Sequence, residues 1–139
     1  TPKGREQSAE LARLMAERDY ECDLALLSPS KRTRETFDFM NLSTPTVEQD
    51  KLYNGGPEDY LEVLGGLDPE LSDVMLIGHN PTCAMLAVML SGEGTPVDLM
   101  SIRGGFKKSQ MAVIHFRVES WADLKARDGF LSDLVSPSV

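Results

Sequence analysis

Apolar residues recur along this chain in two alternating rhythms. Leu11, Ala12, Leu14 and Met15 stand among charged neighbours in residues 8–19, a stripe that predicts a helix with one face toward a core, already under way by Arg5. Residues 23–27 form a short apolar run that predicts a strand. It ends in Ser28-Pro29, a cap residue followed by proline, and a second helix is predicted from there to about Met40. Residues 43–54 are rich in turn formers, with room for one brief strand around Val47. Pro57 opens a third helix with Tyr60, Leu61 and Leu64 on one face, and Gly65-Gly66 stops it. Val74, Met75, Leu76 and Ile77 are four consecutive apolar residues, as in a strand covered on both faces of a parallel sheet.

After Gly78 and His79, Asn80 has the character of an N-cap and Pro81 that of a first helical residue. They predict a helix over Thr82 to Leu90, apolar nearly all round and so mostly buried; Met85 and Met89, four apart on it, read as core filler. Gly92, Gly94 and a loop through Gly104-Gly105 and Lys107-Lys108 lead to residues 110–118, whose alternation predicts a strand. Residues 121–127 predict a short helix and 130–135 a last, edge strand. Strands alternating with helices place the chain in the α/β class, as a three-layer α/β/α sandwich with a mostly parallel central sheet.

Two strand ends draw the chemistry together. A strand, a histidine and a helix start, in that order, put the His79 imidazole at the carboxyl end of a strand, where open α/β sheets bind anions. The strand before Ser28-Pro29 ends in the same way, and Lys31, Arg32 and Arg34 crowd the first turns of its helix. Cations there oppose the helix dipole by roughly 0.3–1 kcal/mol each. Either they form a solvated basic surface with Glu35 as a partner, or one guanidinium turns toward an anion at the strand ends. Arg32 suits the second role, because Arg34 points about 200° round the helix. His115, inside an alternating strand, reads as a packed or edge residue.

The 139 residues carry a formal net charge of −8, which argues against a nucleic-acid partner, and 41% hydrophobic content, enough to close one core. No apolar run approaches a membrane span and no secretory leader is visible, so a cytoplasmic domain with no membrane partner is expected. Cys22 and Cys83 match no metal spacing and read as reduced thiols. Oligomeric state is not legible.

Several motifs resemble one family. Ile77-Gly78-His79-Asn80-Pro81 is similar to the second-histidine motif of the histidine phosphatase superfamily, the phosphoglycerate mutase-like proteins. Ser28-Pro29-Ser30-Lys31-Arg32 resembles its Ser-Pro-x-x-Arg segment, and Thr36 matches a threonine that often follows. Thr1-Pro2-Lys3-Gly4-Arg5 resembles the Leu-Thr-x-x-Gly-Arg entry to the first helix. Leu52-Tyr53-Asn54 and the ending around Trp121 to Leu134 resemble the small SixA-type phosphohistidine phosphatases. The resemblance implies a pocket of two histidines and two arginines in which one histidine attacks phosphorus, becomes a phosphohistidine and releases the phosphoryl group to water. It casts Arg32 as the clamp on the phosphoryl oxygens and His79 as the second histidine, with Asn80 beside them in the substrate-binding set. It implies no metal and no cofactor, and a phosphorylated protein or small phosphorylated molecule as the partner.

The family's nucleophile sits in an Arg-His-Gly motif at the end of an upstream central strand, and this sequence contains no such motif. Losing a central strand would expose several side chains worth roughly 1.5–3 kcal/mol each, against a whole-domain stability of about 5–15 kcal/mol. Residues 1–139 are therefore expected to be a single histidine-phosphatase-like domain without its first strand, and to turn over no substrate as they stand. The slot at Leu52-Tyr53-Asn54 offers no acid to protonate an alcohol leaving group, which tilts the substrate toward phosphohistidine. One alternative is a non-catalytic phosphate-binding module, a pseudophosphatase. Another is a flavodoxin-like nucleotide binder, disfavoured because no glycine-rich phosphate loop is present.

Overall fold

The computed structural model describes residues 1–138. Helix α1 (Pro2–Glu17) is capped by Thr1, whose hydroxyl accepts from the Gly4 N–H at 3.0 Å. Strand β1 (Leu24–Leu27) follows, then α2 (Lys31–Met40), β2 (Thr46–Glu48), a single turn α3 (Lys51–Asn54) and α4 (Pro57–Gly65). Strand β3 (Val74–Ile77) leads into α5 (Thr82–Leu90), β4 (Ser91–Gly94) and α6 (Pro96–Arg103). Strand β5 (Met111–His115), a short 3-10 turn (Trp121–Asp123) and β6 (Gly129–Val135) complete the order.

The strands form two three-stranded sheets, not one continuous sheet. The first is all parallel, in the order β2-β1-β3, with Leu27 opposite Ile77. The second runs β4-β6-β5, with β4 parallel and β5 antiparallel to β6. Yet the hydrophobic layers run unbroken across both. On one face, Leu11 and Met15 of α1 and Phe37 and Met40 of α2 pack with Ala25, Leu27 and Met75 of the first sheet and Val135 of the second. On the other, Tyr60 and Leu64 of α4 and Leu86 and Leu90 of α5 pack with Leu26, and half-buried Leu76 and Ile114 join them. Helices thus cover both faces of two aligned sheets, the three layers that the pattern predicts.

Several local expectations need correction. The α2 helix starts after Ser30, not after Ser28-Pro29: Ser30 accepts from the Thr33 N–H at 3.2 Å, and Ser28 is committed elsewhere. Asn80 is not the cap of α5 either; Pro81 takes that position and its peptide bond to Asn80 is cis, while the helix itself keeps the predicted limits, Thr82–Leu90. Residues 91–103, read as a glycine-rich loop, hold β4 and α6, the latter capped by Thr95 accepting from the Asp98 N–H. Strand β6 is the middle strand of its sheet, not an edge. The helix predicted over 121–127 shrinks to one 3-10 turn. Met85 is half exposed, so only Met89 packs into the core.

Candidate functional site

Because Leu27 and Ile77 are register partners, the residues that follow β1 and β3 leave the sheet side by side. Ser28 is fully buried at this junction. Its N–H donates to the Ile77 carbonyl at 3.0 Å, and its Oγ lies 2.7 Å from His79 Nε2. One hydrogen bond therefore ties the two strand ends together through the imidazole. A second fixes the backbone: the His79 N–H donates to Tyr60 Oη at 3.1 Å, and Tyr60 donates onward to the Leu52 carbonyl at 2.7 Å. Burial pushes the Tyr60 phenol above its ordinary pKa, and the His79 N–H partly offsets this. The phenol therefore keeps its proton for Leu52 at neutral pH.

Gly78 is where this arrangement demands a glycine. A Cβ there would lie 2.6 Å from Tyr60 Oη, closer than real Cβ atoms come. The third contact with His79 is the Tyr53 ring, 5.7 Å between centroids and tilted by 60°. Tyr53 is itself half exposed, so it walls the imidazole on the solvent side.

The other corner is braced by Thr33. Its buried hydroxyl donates to the Ser28 carbonyl at 2.6 Å and lies 2.9 Å from Ser30 Oγ. Of the three cations in the first turns of α2, Lys31 reaches Glu35 at 3.9 Å and Arg34 reaches Glu48 at 3.3 Å. Arg32 is exposed and has no ion pair among the described residues. Glu35 is thus a partner of Lys31, as the solvated-surface alternative has it. Arg32, His79 and Asn80 are among the residues lining one long cavity, with Thr1, Gly4 and Arg5 from the start of α1, and the same cavity extends as far as His115 and Trp121. The guanidinium of Arg5 lies 5.0 Å over the Phe39 ring.

The chain's other imidazole is remote. His115 is exposed at the end of β5 and leads to Trp121, whose indole donates to the Leu71 carbonyl, ahead of β3. That is the amino end of β3, opposite His79. Both cysteines are free, and burial pushes each thiol up to about 11, so neither is a thiolate at neutral pH. Among the described residues no three histidine, cysteine, aspartate or glutamate side chains gather as a metal site. Ser28, Tyr60 and Tyr53 were not singled out as site residues from the sequence. Ser28 reads as a helix cap there and Tyr60 as a core position, and only strand register brings either to His79.

Three solved structures share this architecture over essentially the whole chain. A protein designated SixA from Nakamurella multipartitia superposes with a TM-score of 0.88 at 22% identity, covering 100% of this chain and 84% of that one. A SixA from Agrobacterium tumefaciens does so with a TM-score of 0.76 at 28% identity, over 99% of this chain and 82% of that one. The protein histidine phosphatase SixA in complex with tungstate gives 0.77 at 23% identity, over 99% and 83%. This is a histidine phosphatase fold. Within it, the motif-bearing corners Ser28–Arg32 and Ile77–Pro81 sit beside each other at the carboxyl ends of neighbouring strands.

Among curated proteins, the histidine-phosphatase-like chain is 28% identical over 91 residues to the uncharacterized protein ML1117 of Mycobacterium leprae, 65% of this chain and 56% of that one. It is 27% identical over 105 residues to the uncharacterized protein Rv1276c of Mycobacterium tuberculosis, 74% of this chain and 66% of that one. The matches thus span between half and two thirds of these curated relatives. No family model matches the chain.

Proposed function

We propose that residues 1–139 form the phosphoryl-binding body of a metal-independent phosphohistidine phosphatase. Arg32 clamps the phosphoryl oxygens, His79 hydrogen-bonds an equatorial oxygen, and Asn80 lies at the rim of the same site. The observation that carries this reading is the Ser28–His79 hydrogen bond at 2.7 Å, which joins the corner bearing the unpaired guanidinium to the corner bearing the imidazole. Phosphoryl transfer asks chiefly for positioning and for compensation of charge on the transferring oxygens, and an arginine fork with an imidazole supplies both. The tungstate held by one SixA of the same fold is a tetrahedral oxyanion, the geometry of a phosphoryl group. A phosphorylated protein, with phosphohistidine as its reactive group, is the substrate class that suits a Leu52-Tyr53-Asn54 slot carrying no acid.

Turnover through a covalent intermediate requires a second imidazole. Its neutral nitrogen would attack phosphorus, the bond to the leaving imidazole or oxygen would break, and water would then cleave the new P–N bond. His115 is at the wrong end of the sheet for that role. The reading therefore assigns the nucleophile to an upstream segment, and residues 1–139 alone should bind oxyanion without turning over acetyl phosphate or p-nitrophenyl phosphate. A pseudophosphatase that only holds a phosphorylated partner is favoured instead if no upstream segment brings such a histidine.

Titration with tungstate or phosphate, followed by amide NMR, tests the binding step. Shifts should concentrate at Ser30 to Arg32 and Gly78 to Asn80, and Arg32→Ala should weaken binding by about 10- to 100-fold, the worth of a charge-assisted hydrogen-bonded pair. Shifts centred elsewhere, or an unchanged affinity in Arg32→Ala, would overturn the assignment. Turnover by the 139-residue chain would overturn the assignment of the nucleophile to another segment.

A further inference from the structure

Three chain segments leave the carboxyl edge of the first, all-parallel sheet, and the corners after β1 and β3 are two of them. The third follows β2. The Gln49 N–H donates to the Leu27 carbonyl at 3.0 Å, just as the Ser28 N–H donates to the Ile77 carbonyl. Helix α3 therefore starts beside the Ser28 corner, on the far side of β1 from β3. Its Tyr53 ring nonetheless meets the His79 ring, at 5.7 Å between centroids and 60° between planes, within the range of a tilted aromatic pair. Tyr53 is 53% exposed, so this contact leaves much of the ring open to solvent.

A single helical turn has little stability of its own. This one is fastened from several sides. Leu52 is fully buried, and its carbonyl accepts the Tyr60 hydroxyl at 2.7 Å. The same Tyr60 oxygen accepts from the His79 N–H at 3.1 Å, so one phenol sets α3 and the imidazole relative to each other. Lys51 pairs with Glu62 of α4 at the surface. At the exit from the turn, Gly55 lies so close to α4 that a Cβ there would stand 2.6 Å from the Asp59 Cβ. The Gly56 N–H donates to Asp59 Oδ2 at 2.9 Å. Burial of Leu52 accounts for an anchored turn, but not for an aromatic ring held half in solvent against an imidazole. A flat apolar surface whose position is set in advance is what a ligand needs.

The direction of approach decides which part of a ligand meets that surface. His79 Nε2 is held by Ser28 Oγ, which leaves Nδ1 as the ring nitrogen for a phosphoryl oxygen. A phosphoryl group gripped by Arg32 and His79 turns its oxygens toward the protein, and the remaining substituent on phosphorus points outward. Tyr53 stands on that solvent side of the imidazole. Given a phosphoryl group at Arg32 and His79, the reading on which this inference rests, we propose that Tyr53 selects the group bonded to phosphorus. Its ring packs against a flat, unsaturated substituent, the imidazole of a phosphohistidine side chain, and discriminates against a saturated one of the same size. Two aromatic rings attract each other through their quadrupoles, beyond the area they bury, and a saturated ring has no such term.

Titration calorimetry of the 139-residue chain compares phenylphosphonate and cyclohexylphosphonate, whose P–C bonds resist hydrolysis, with inorganic phosphate, at an alkaline pH where each is a dianion. Phenylphosphonate should bind about 3- to 10-fold more tightly than cyclohexylphosphonate, the worth of one aromatic pair. Tyr53→Ala should bring that ratio to about one, and Tyr53→Phe should keep it. Arg32→Ala should weaken all three ligands while preserving the ratio. A tyrosine that merely steadied His79 would, once truncated, weaken both phosphonates alike, so an unaltered ratio in Tyr53→Ala would overturn the proposal. Equal affinities in the unsubstituted chain would do the same. So would a ratio lost in Tyr53→Phe, which would assign the effect to the hydroxyl and not to the ring. Inorganic phosphate that does not bind, or that binds as well after Arg32→Ala, would overturn the phosphoryl reading itself and this selectivity with it.

Discussion

Strands β1 and β3 carry nearly interchangeable residues, Leu-Ala-Leu-Leu and Val-Met-Leu-Ile, and lie side by side in perfect register. Their environments differ sharply. From Ala25 to Leu27, β1 is sealed, with β2 and β3 on its flanks and helices above and below, whereas three of the four residues of β3 remain half-buried. Hydrophobicity along the chain therefore announces a strand meant for the interior. What seals it is the neighbour on each edge, and β3 has only one.

The widest separation between the two strands should appear on truncation. Leu26→Ala removes a side chain from a fully closed layer and should cost about 2–5 kcal/mol by urea denaturation. Leu76→Ala, beside it in register but facing the cavity, should cost about 1 kcal/mol, because much of that side chain is already hydrated. Equal costs would break the comparison and mean that β3 is closed in solution. A smaller difference is expected at the residue that ends β3. Gly78→Ala forces a Cβ against Tyr60 and should destabilise by about 1–3 kcal/mol while displacing the Tyr60 and His79 resonances together. The smallest effect belongs to the end of β1. Ser28→Ala should cost about 0.5–1.5 kcal/mol, and the imidazole nitrogen spectrum of His79 should change from one bonded state to a mixture of tautomers. An unchanged His79 spectrum in Ser28→Ala would remove the link on which the phosphoryl reading depends.

These contrasts follow how much of the molecule could be read before folding. Local signals carry the elements near the site: the four-residue apolar run coincides with β3, Val74–Ile77, and Gly65-Gly66 ends α4 where expected. Of the three cations, Lys31 meets Glu35 one turn on, as an i,i+4 pair allows, whereas the Arg34 contact with Glu48 of β2 depends on tertiary placement. Residues that act through long-range pairing were not legible. Ser28 sits 51 positions from its partner His79, and nothing local distinguishes it from a cap. Strand β4, Ser-Gly-Glu-Gly, has the composition of a loop. It is a strand because β6 offers it an edge and because Gly92 permits close backbone approach to Arg127, whose carbonyl would lie 1.9 Å from a Cβ. The central position of β6 is illegible for the same reason: a strand at the end of the sequence need not be at the end of the sheet.

The separation of the site from the Trp121 turn has a practical optical consequence. Trp121 is the only tryptophan, and its indole is anchored to Leu71 at the end of β3 remote from His79. Its emission therefore reports the melting of the α4 side of the domain and stays indifferent to an anion arriving at Arg32. Fluorescence thus supplies a clean folding signal against which ligand titrations, read by another probe, can be normalised.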